Sequence, residues 1–153
     1  MIRIENEQHL LSAFRETEQS QVQIPQELKF PLALKDYLSW VEPSGHRVYL
    51  VFQDAQSGNP LGIVFQRTRG SSQASPSMCQ WCHAVRPGNS VGLLTTQAGK
   101  ERRIGIHLCV DLDCKEHAQK GPGRNDFSEG LSDREKIERV VRRMNDFAKH
   151  NLF

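Results

Sequence analysis

The sequence predicts an α+β fold: a small antiparallel sheet, a four-cysteine finger joined to it, and a packed C-terminal helix. Three observations predict it. Four strand-like runs fall in two pairs, each separated by turn residues, the first pair rich in Val, Ile, Tyr and Phe. Four cysteines fall in two spaced pairs in the second half of the chain. A final amphipathic run over 132–150 has helical periodicity and a clear start signal.

Taken in chain order, residues 5–17 read as a short helix with Leu10, Leu11 and Phe14 on one narrow apolar face. Pro25 and Pro31 mark a loop after it. Leu34, Tyr37, Leu38 and Val41 then show helical spacing, which predicts a short helical piece over 32–40, stopped by Pro43-Ser44-Gly45. Runs 47–53 and 61–66, joined by Asp54–Pro60, predict a β-hairpin with a longish loop. The Gly/Ser-rich stretch 69–77 reads as a mobile loop. Runs 91–96 and 102–108 are two further strands joined by 97–101. Residues 110–119 read as a helix ending at Gly121-Pro122-Gly123. In the last helix Ser132 and Glu135 form a capping box, and Ile137, Val140, Val141, Met144 and Phe147 share one face. The expected organisation is an N-terminal helical extension over 1–34 and a finger-bearing domain over 35–153.

The chain has 153 residues, enough to bury a core without covalent staples. Its 37% hydrophobic and 25% charged content excludes an intrinsically disordered chain. The longest apolar run, Val48 to Phe52, falls far short of the ~18 residues of a membrane span. The charged start, Met1 to Glu7, does not resemble a secretory signal, so the expected location is the cytosol. There, paired cysteines point to metal rather than to disulfides. The net charge of +2 is uneven: residues 1–60 are net negative and 61–153 net positive. That imbalance is too modest to infer nucleic-acid binding by itself.

The cysteines are Cys79, Cys82, Cys109 and Cys114, a C-x2-C and a C-x4-C pair separated by 26 residues. A C-x2-C turn folds into a knuckle that aims two sulfurs at one ion, and Zn²⁺ takes four such ligands tetrahedrally. The second pair follows a strand and opens a predicted helix, whose free N–H groups favour thiolates. The strands between the pairs make a hairpin. Knuckle, hairpin and helix together are the treble-clef arrangement. A redox C-x2-C pair would want a βαβ setting and would leave Cys109 and Cys114 idle; unligated core cysteines are the other alternative. The expectation is one structural Zn²⁺, and four thiolates close its shell against catalysis. His83, His107 and His117 lie close to the cysteines in sequence, and the looser C-x4-C spacing leaves room for one of them to replace a sulfur. Trp81, inside the first pair, reads as a hydrophobic lid, with an exposed partner anchor as its alternative. The basic groups Lys100, Arg102 and Arg103, and Arg139, Arg142 and Arg143, read as solvated faces.

At Cys79-Gln80-Trp81-Cys82, Gly105-Ile106-His107-Leu108-Cys109 and Val110-Asp111-Leu112-Asp113-Cys114 the chain resembles the C-terminal treble-clef zinc-finger domain of the elongation factor G-binding family, to which the fusidic-acid-resistance proteins belong. Tyr49–Phe52, Gly62–Phe65 and the last helix extend the resemblance over about 35–150. The resemblance implies Cys79, Cys82, Cys109 and Cys114 as zinc ligands and elongation factor G, on the ribosome, as partner. Members carry an N-terminal helical domain that 1–34 is too short to form. Where the family tends to place aromatic residues, this chain has Leu94 and His107. Position in the motif and strand alternation together make Leu94, Arg103 and His107 the expected partner-binding residues.

The function so implied is a non-enzymatic zinc-containing binding module that associates with elongation factor G or the translating ribosome. The alternative is a zinc-dependent RNA- or DNA-binding module, supported by the basic second half. A treble-clef nuclease fares worst, since it needs a further catalytic His and a hydrolytic metal that no grouping suggests.

Overall fold

The computed structural model describes residues 2–67, 75–99, 101–119 and 132–153. In order they form β1 (Ile2–Ile4), α1 (Glu7–Leu11), α2 (Glu16–Gln19), β2 (Leu32–Leu34), β3 (Tyr37–Val41), β4 (Arg47–Gln53), β5 (Pro60–Arg67), β6 (Ser77–Met78), β7 (Val85–Arg86), β8 (Val91–Gln97), β9 (Arg103–Cys109), α3 (Cys114–Gln119) and α4 (Asp133–Asn151). Mixed helix and antiparallel sheet bear out the α+β expectation. The centre is a five-stranded sheet in the order β3-β4-β5-β8-β9, every neighbour antiparallel. Two small sheets, β1-β2 and β6-β7, flank it.

Alternation along β4 sends side chains into two cores. Val48, Leu50 and Phe52 join Ile63, Phe65, Leu94, Ile106 and Leu108 on the face that carries the cysteines and α4. Tyr49 and Val51 join Val64 on the opposite face. Burial on both sides explains why Val48 to Phe52 is an unbroken apolar run.

The second face is covered by the N-terminal segment. Ile4, Leu10, Ala13, Phe14 and Leu34 form its core with Tyr49, Val51 and Val64. The single helix expected over 5–17 is two short ones, α1 and α2. Asn6 caps α1, its side chain accepting from His9 N–H at 2.8 Å. Residues 32–40 are not helical. Leu34 ends β2, and in β3 Tyr37 and Val41 turn to the cysteine-side core while Leu38 and Trp40 turn to the other. A strand buried on both faces, following another strand after a short turn, imitates helical spacing.

The hairpin β4-β5 and the hairpin β8-β9 form as their sequences predict. Helix α4 starts at Ser132, whose hydroxyl accepts from Glu135 N–H at 3.2 Å. Val140, Met144 and Ala148 are buried against the sheet, with Val141 and Phe147 packed at the margin. Asn145 fastens the helix to the β4-β5 turn: its carbonyl accepts from Ala55 N–H at 2.9 Å, and its amide donates to Gln53 O at 3.2 Å. Lys149 adds an ion pair to Asp54 at 3.1 Å. The helix expected over 110–119 is shorter, beginning at Cys114. Gly121-Pro122-Gly123 and most of the 69–77 loop lie outside the described residues.

Candidate metal centre

The first cysteine pair lies between β6 and β7. These two-residue strands pair Met78 with Val85 and Ser77 with Arg86, which brings the ends of the knuckle together. Within it, Cys79 N–H donates to Ala84 O at 2.9 Å and His83 N–H to Cys79 O at 2.8 Å. Cys82 N–H points at Cys79 Sγ, 3.5 Å away. His83 takes the left-handed conformation, φ 64°, to close the turn. Gln80 N–H donates to His107 O at 2.9 Å and docks the knuckle on β9.

The second pair spans the exit from β9 to α3. Leu112 N–H donates to Cys109 O at 2.9 Å, and Leu112 sits at φ 53°. This tight turn swings Cys114 back toward Cys109. Its register is held from two sides. Arg67, almost fully buried, donates to Val110 O at 2.9 Å and to Gly45 O at 2.7 Å, and pairs with Asp111. Tyr37 Oη donates to Leu112 O at 2.8 Å and accepts from Lys115 N–H at 2.9 Å. Lys115 Nζ folds over the Tyr37 ring and pairs with Asp36 at 2.7 Å. Burial, then the charge of Cys114, pushes the Tyr37 phenol far above its ordinary range, so it remains a donor.

The four sulfurs converge. All lie within 4.8 Å of one another, with Cys79–Cys114 at 3.7 Å and Cys82–Cys109 at 3.6 Å. A tetrahedron with Zn–S bonds of ~2.3 Å has edges of ~3.8 Å, so the donor set fits one Zn²⁺ by chemistry and by spacing. Hydrogen bonds from Cys109, Cys114 and Cys82 hold Cys79 on the thiolate side. The same contacts, reinforced by burial, push Cys114 up. A divalent cation bound among these thiols would displace their protons into solvent. The cluster contains the four cysteines and no histidine among the described residues. His83 and His107 therefore do not replace a sulfur, and the His117 side chain lies outside the described residues. Bound there, zinc supplies structure: it ties β6-β7, β9 and α3 into one finger.

The Arg86 guanidinium faces Cys109 and pairs with Asp113 at 3.3 Å, offsetting thiolate charge. Trp81 is 2% exposed and packs edge-on to Phe65 and Phe147, both at 6.0 Å. It is the lid and not an exposed anchor. Arg143 of α4 donates to Trp81 O at 2.5 Å. Arg143 is thus not a solvated residue. Sequence reasoning missed Tyr37, Arg67 and Arg86; each lies far from the cysteines in sequence or on a short strand with no periodic signal.

Of the expected partner residues, Arg103 and His107 are exposed on one face of β9, with Gly105 between them. Arg103 donates to Gln97 Oε1 at 3.1 Å and to Thr95 Oγ1 at 3.0 Å. Leu94 is a correction. It is fully buried in the cysteine-side core because it pairs with Ile106, whereas His107 pairs with Leu93. Leu93, 47% exposed, is the apolar residue on the face of Arg103 and His107. It leans over Gly105, where a Cβ would lie 2.8 Å from Leu93 Cδ1. At the border with α2 this face meets a cleft of about 440 Å³ lined by Arg15, Glu18, Gln66, Gln97 and Arg103.

No helix among the described residues is long and apolar enough to cross a membrane. No curated protein matches the chain. The family model described as the FBP C-terminal treble-clef zinc-finger matches residues 8–150, which takes in most of the N-terminal layer, both hairpins, the four cysteines and nearly all of α4. A match over nearly the whole chain, onto a cluster of four converging sulfurs, makes the protein a member of the FBP C-terminal treble-clef zinc-finger family.

Proposed function

We propose that the chain is a non-enzymatic binding module that associates, through the open part of its sheet, with elongation factor G or the translating ribosome. The observation that carries this reading is the uneven cover of one sheet face. The N-terminal segment buries the part formed by Tyr49, Val51 and Val64. On the same sheet the β8-β9 part leaves Leu93, Arg103 and His107 exposed around the side-chain-free Gly105. An exposed apolar residue flanked by a guanidinium and an imidazole is a recognition surface in miniature. Four thiolates leave zinc no open position, which supports a scaffolding rather than a catalytic metal. The identity of the partner comes from the resemblance of the cysteine motifs to the elongation factor G-binding family.

The test is titration of the zinc-loaded protein against purified elongation factor G, ribosomes and a short RNA, with an Arg103→Ala/His107→Ala variant alongside. The reading requires saturable binding to the factor or the ribosome that the variant weakens while keeping its zinc and its melting temperature. Binding only to RNA, with strong salt dependence, replaces it with the nucleic-acid reading. Equal binding by the variant moves the surface elsewhere.

A further inference from the structure

The exposed face of the β8-β9 hairpin is bordered by an open backbone edge. Strand β9 is the last in the sheet order and pairs only with β8 among the described strands of its sheet. Gln80 N–H reaches His107 O from outside the sheet, so residue 107 turns its peptide groups away from β8. In an antiparallel ladder these directions alternate. The peptide groups of Arg103 and Gly105 therefore also point outward, and those of Ile104 and Ile106 point to β8. The zinc knuckle takes the outward carbonyl at 107 and ends there. From 103 to 106 no described residue pairs with the edge.

Proteins ordinarily blunt such edges with charge, bulges or cover. Here β8 and β9 pair residue for residue from Val91 with Cys109 to Gln97 with Arg103, without a bulge. At the middle of the outer strand Gly105 carries no side chain, and Leu93 of β8 leans over it. The hairpin's own charge is mostly positive, and the Glu18 carboxylate, paired with Arg15, lies in the cleft beside Arg103. Residues 97–107 carry Lys100, Arg102 and Arg103 against Glu101, together with His107. The guanidinium of Arg103 is bonded to neutral groups, Gln97 and Thr95, so its charge is not neutralised by a bonded carboxylate. On the opposite face Ile104 is half-buried and Ile106 is buried.

We propose that the outer edge of β9 takes up an extended segment of a partner protein as a sixth strand. The segment has acidic side chains on the face of Arg103 and His107, and apolar ones on the face of Ile104. Main-chain hydrogen bonds to Arg103 and Gly105 supply register, and the alternating side chains supply specificity. A second copy of this chain fits the edge poorly. Antiparallel self-pairing centred on Gly105 sets each Arg103 against the other copy's His107 and brings no carboxylate to either. The inference rests on the proposed function only in taking the β8-β9 hairpin as the working surface.

The experiment is amide hydrogen exchange by NMR on the zinc-loaded full chain, free and with the peptide acetyl-Glu-Val-Glu-Val-Glu-Val-amide. A block-ordered peptide of the same composition is the control. In the free protein the Arg103 and Gly105 amides exchange fast and those of Ile104 and Ile106 slowly. The alternating peptide is expected to slow Arg103 and Gly105 by about tenfold or more, since exchange reports hydrogen-bond closure. Binding is compared between Arg103→Ala, which removes the charge, and Arg103→Pro, which also removes the outward N–H. Proline is tolerated at the first residue of a strand. The proline variant should bind a further three- to tenfold or so more weakly, the size of one net backbone hydrogen bond. If that variant loses its zinc, the exchange data on the wild type decide alone.

Absence of binding, equal binding of the block peptide, or binding that leaves both amides in fast exchange overturns the proposal. So does a dimer by sedimentation in which the same amides are already protected. A complex with elongation factor G that leaves both amides exchanging ends this inference and leaves the proposed function standing. Peptide protection with no factor or ribosome complex does the reverse.

Discussion

Phe14 occupies the space that a side chain at Gly62 would need. A Cβ built on Gly62 lies 2.6 Å from Phe14 Cδ1, and Gly62 N–H donates to Ala13 O at 2.8 Å. The N-terminal segment is thus seated directly on the backbone of β5, and Phe14 meets Trp40 and Tyr49 edge-on at 6.3 and 6.4 Å. A Gly62→Ala substitution must displace a buried ring from a close-packed layer, a type of overpacking that costs about 1–3 kcal/mol. Urea denaturation should show that loss at full zinc content, because the cysteines lie on the other face. In Phe14→Ala the same Gly62→Ala change should cost far less, since the ring it strikes is gone. Equal costs in the two backgrounds would place Phe14 elsewhere.

Zinc removal should unfold the cysteine-side core rather than loosen one loop. Cys79, Cys109 and Cys114 are buried in the same cluster as Trp81, Leu108, Leu112 and Met144. Structural zinc contributes ~10–16 kcal/mol of apparent binding energy, more than most domains' entire stability. Cys114→Ser, or excess chelator on the wild type, should abolish the near-ultraviolet signal of Trp81. Metal analysis should give one zinc per wild-type chain. A chelated protein that keeps its melting temperature would contradict this.

Tyr37 should matter to zinc retention without touching the metal. Its hydroxyl satisfies Leu112 O and Lys115 N–H, which flank Cys114 on either side. Tyr37→Phe leaves that donor and that acceptor without their partner, at ~1–3 kcal/mol for each buried group. The expected result is faster zinc transfer to a competing chelator at unchanged stoichiometry. Arg67→Met should behave alike, since it frees Val110 O and Gly45 O. Transfer rates identical to wild type would show that the 110–115 turn holds itself.

The parts of this architecture that were legible in the sequence are those governed by local rules. The capping box at Ser132 and Glu135, the two hairpins and the cysteine spacing each carry their own signal within a few residues. The N-terminal core does not. Ile4, Leu10, Phe14 and Leu34 come from four separate short pieces, and none repeats with a period. Residues 32–41 misled because β3 is apolar on both faces, and two interleaved period-2 patterns contain helical spacings. The exposed face proposed for partner binding was legible to within one residue. Alternation ordered Arg103, Gly105 and His107 correctly, but the facing residue on β8 depends on register, and a slip of one exchanges buried Leu94 for exposed Leu93.

Asn145 should be the residue on which α4 depends most for its angle. It is buried, 7% exposed, and serves three groups. Its carbonyl accepts from Ala55 N–H at 2.9 Å, and its amide donates to Gln53 O at 3.2 Å and Val141 O at 3.0 Å. Apolar burial of Val140, Met144 and Ala148 presses the helix onto the sheet but is non-directional. The amide sets where along the β4-β5 turn the helix sits. Asn145→Ala removes all three bonds and should cost about 1–3 kcal/mol through the buried Ala55 N–H and Gln53 O left behind. Asn145→Asp is the sharper probe. It keeps an acceptor for Ala55 but replaces the donors with a carboxylate oxygen aimed at two carbonyls. At neutral pH it should be at least as damaging as Ala despite its matching shape. Denaturation of the zinc-loaded variants should rank them wild type, then Ala, then Asp. An Asp variant as stable as wild type would mean that the amide donates to neither carbonyl, and that Val140, Met144 and Ala148 alone orient the helix.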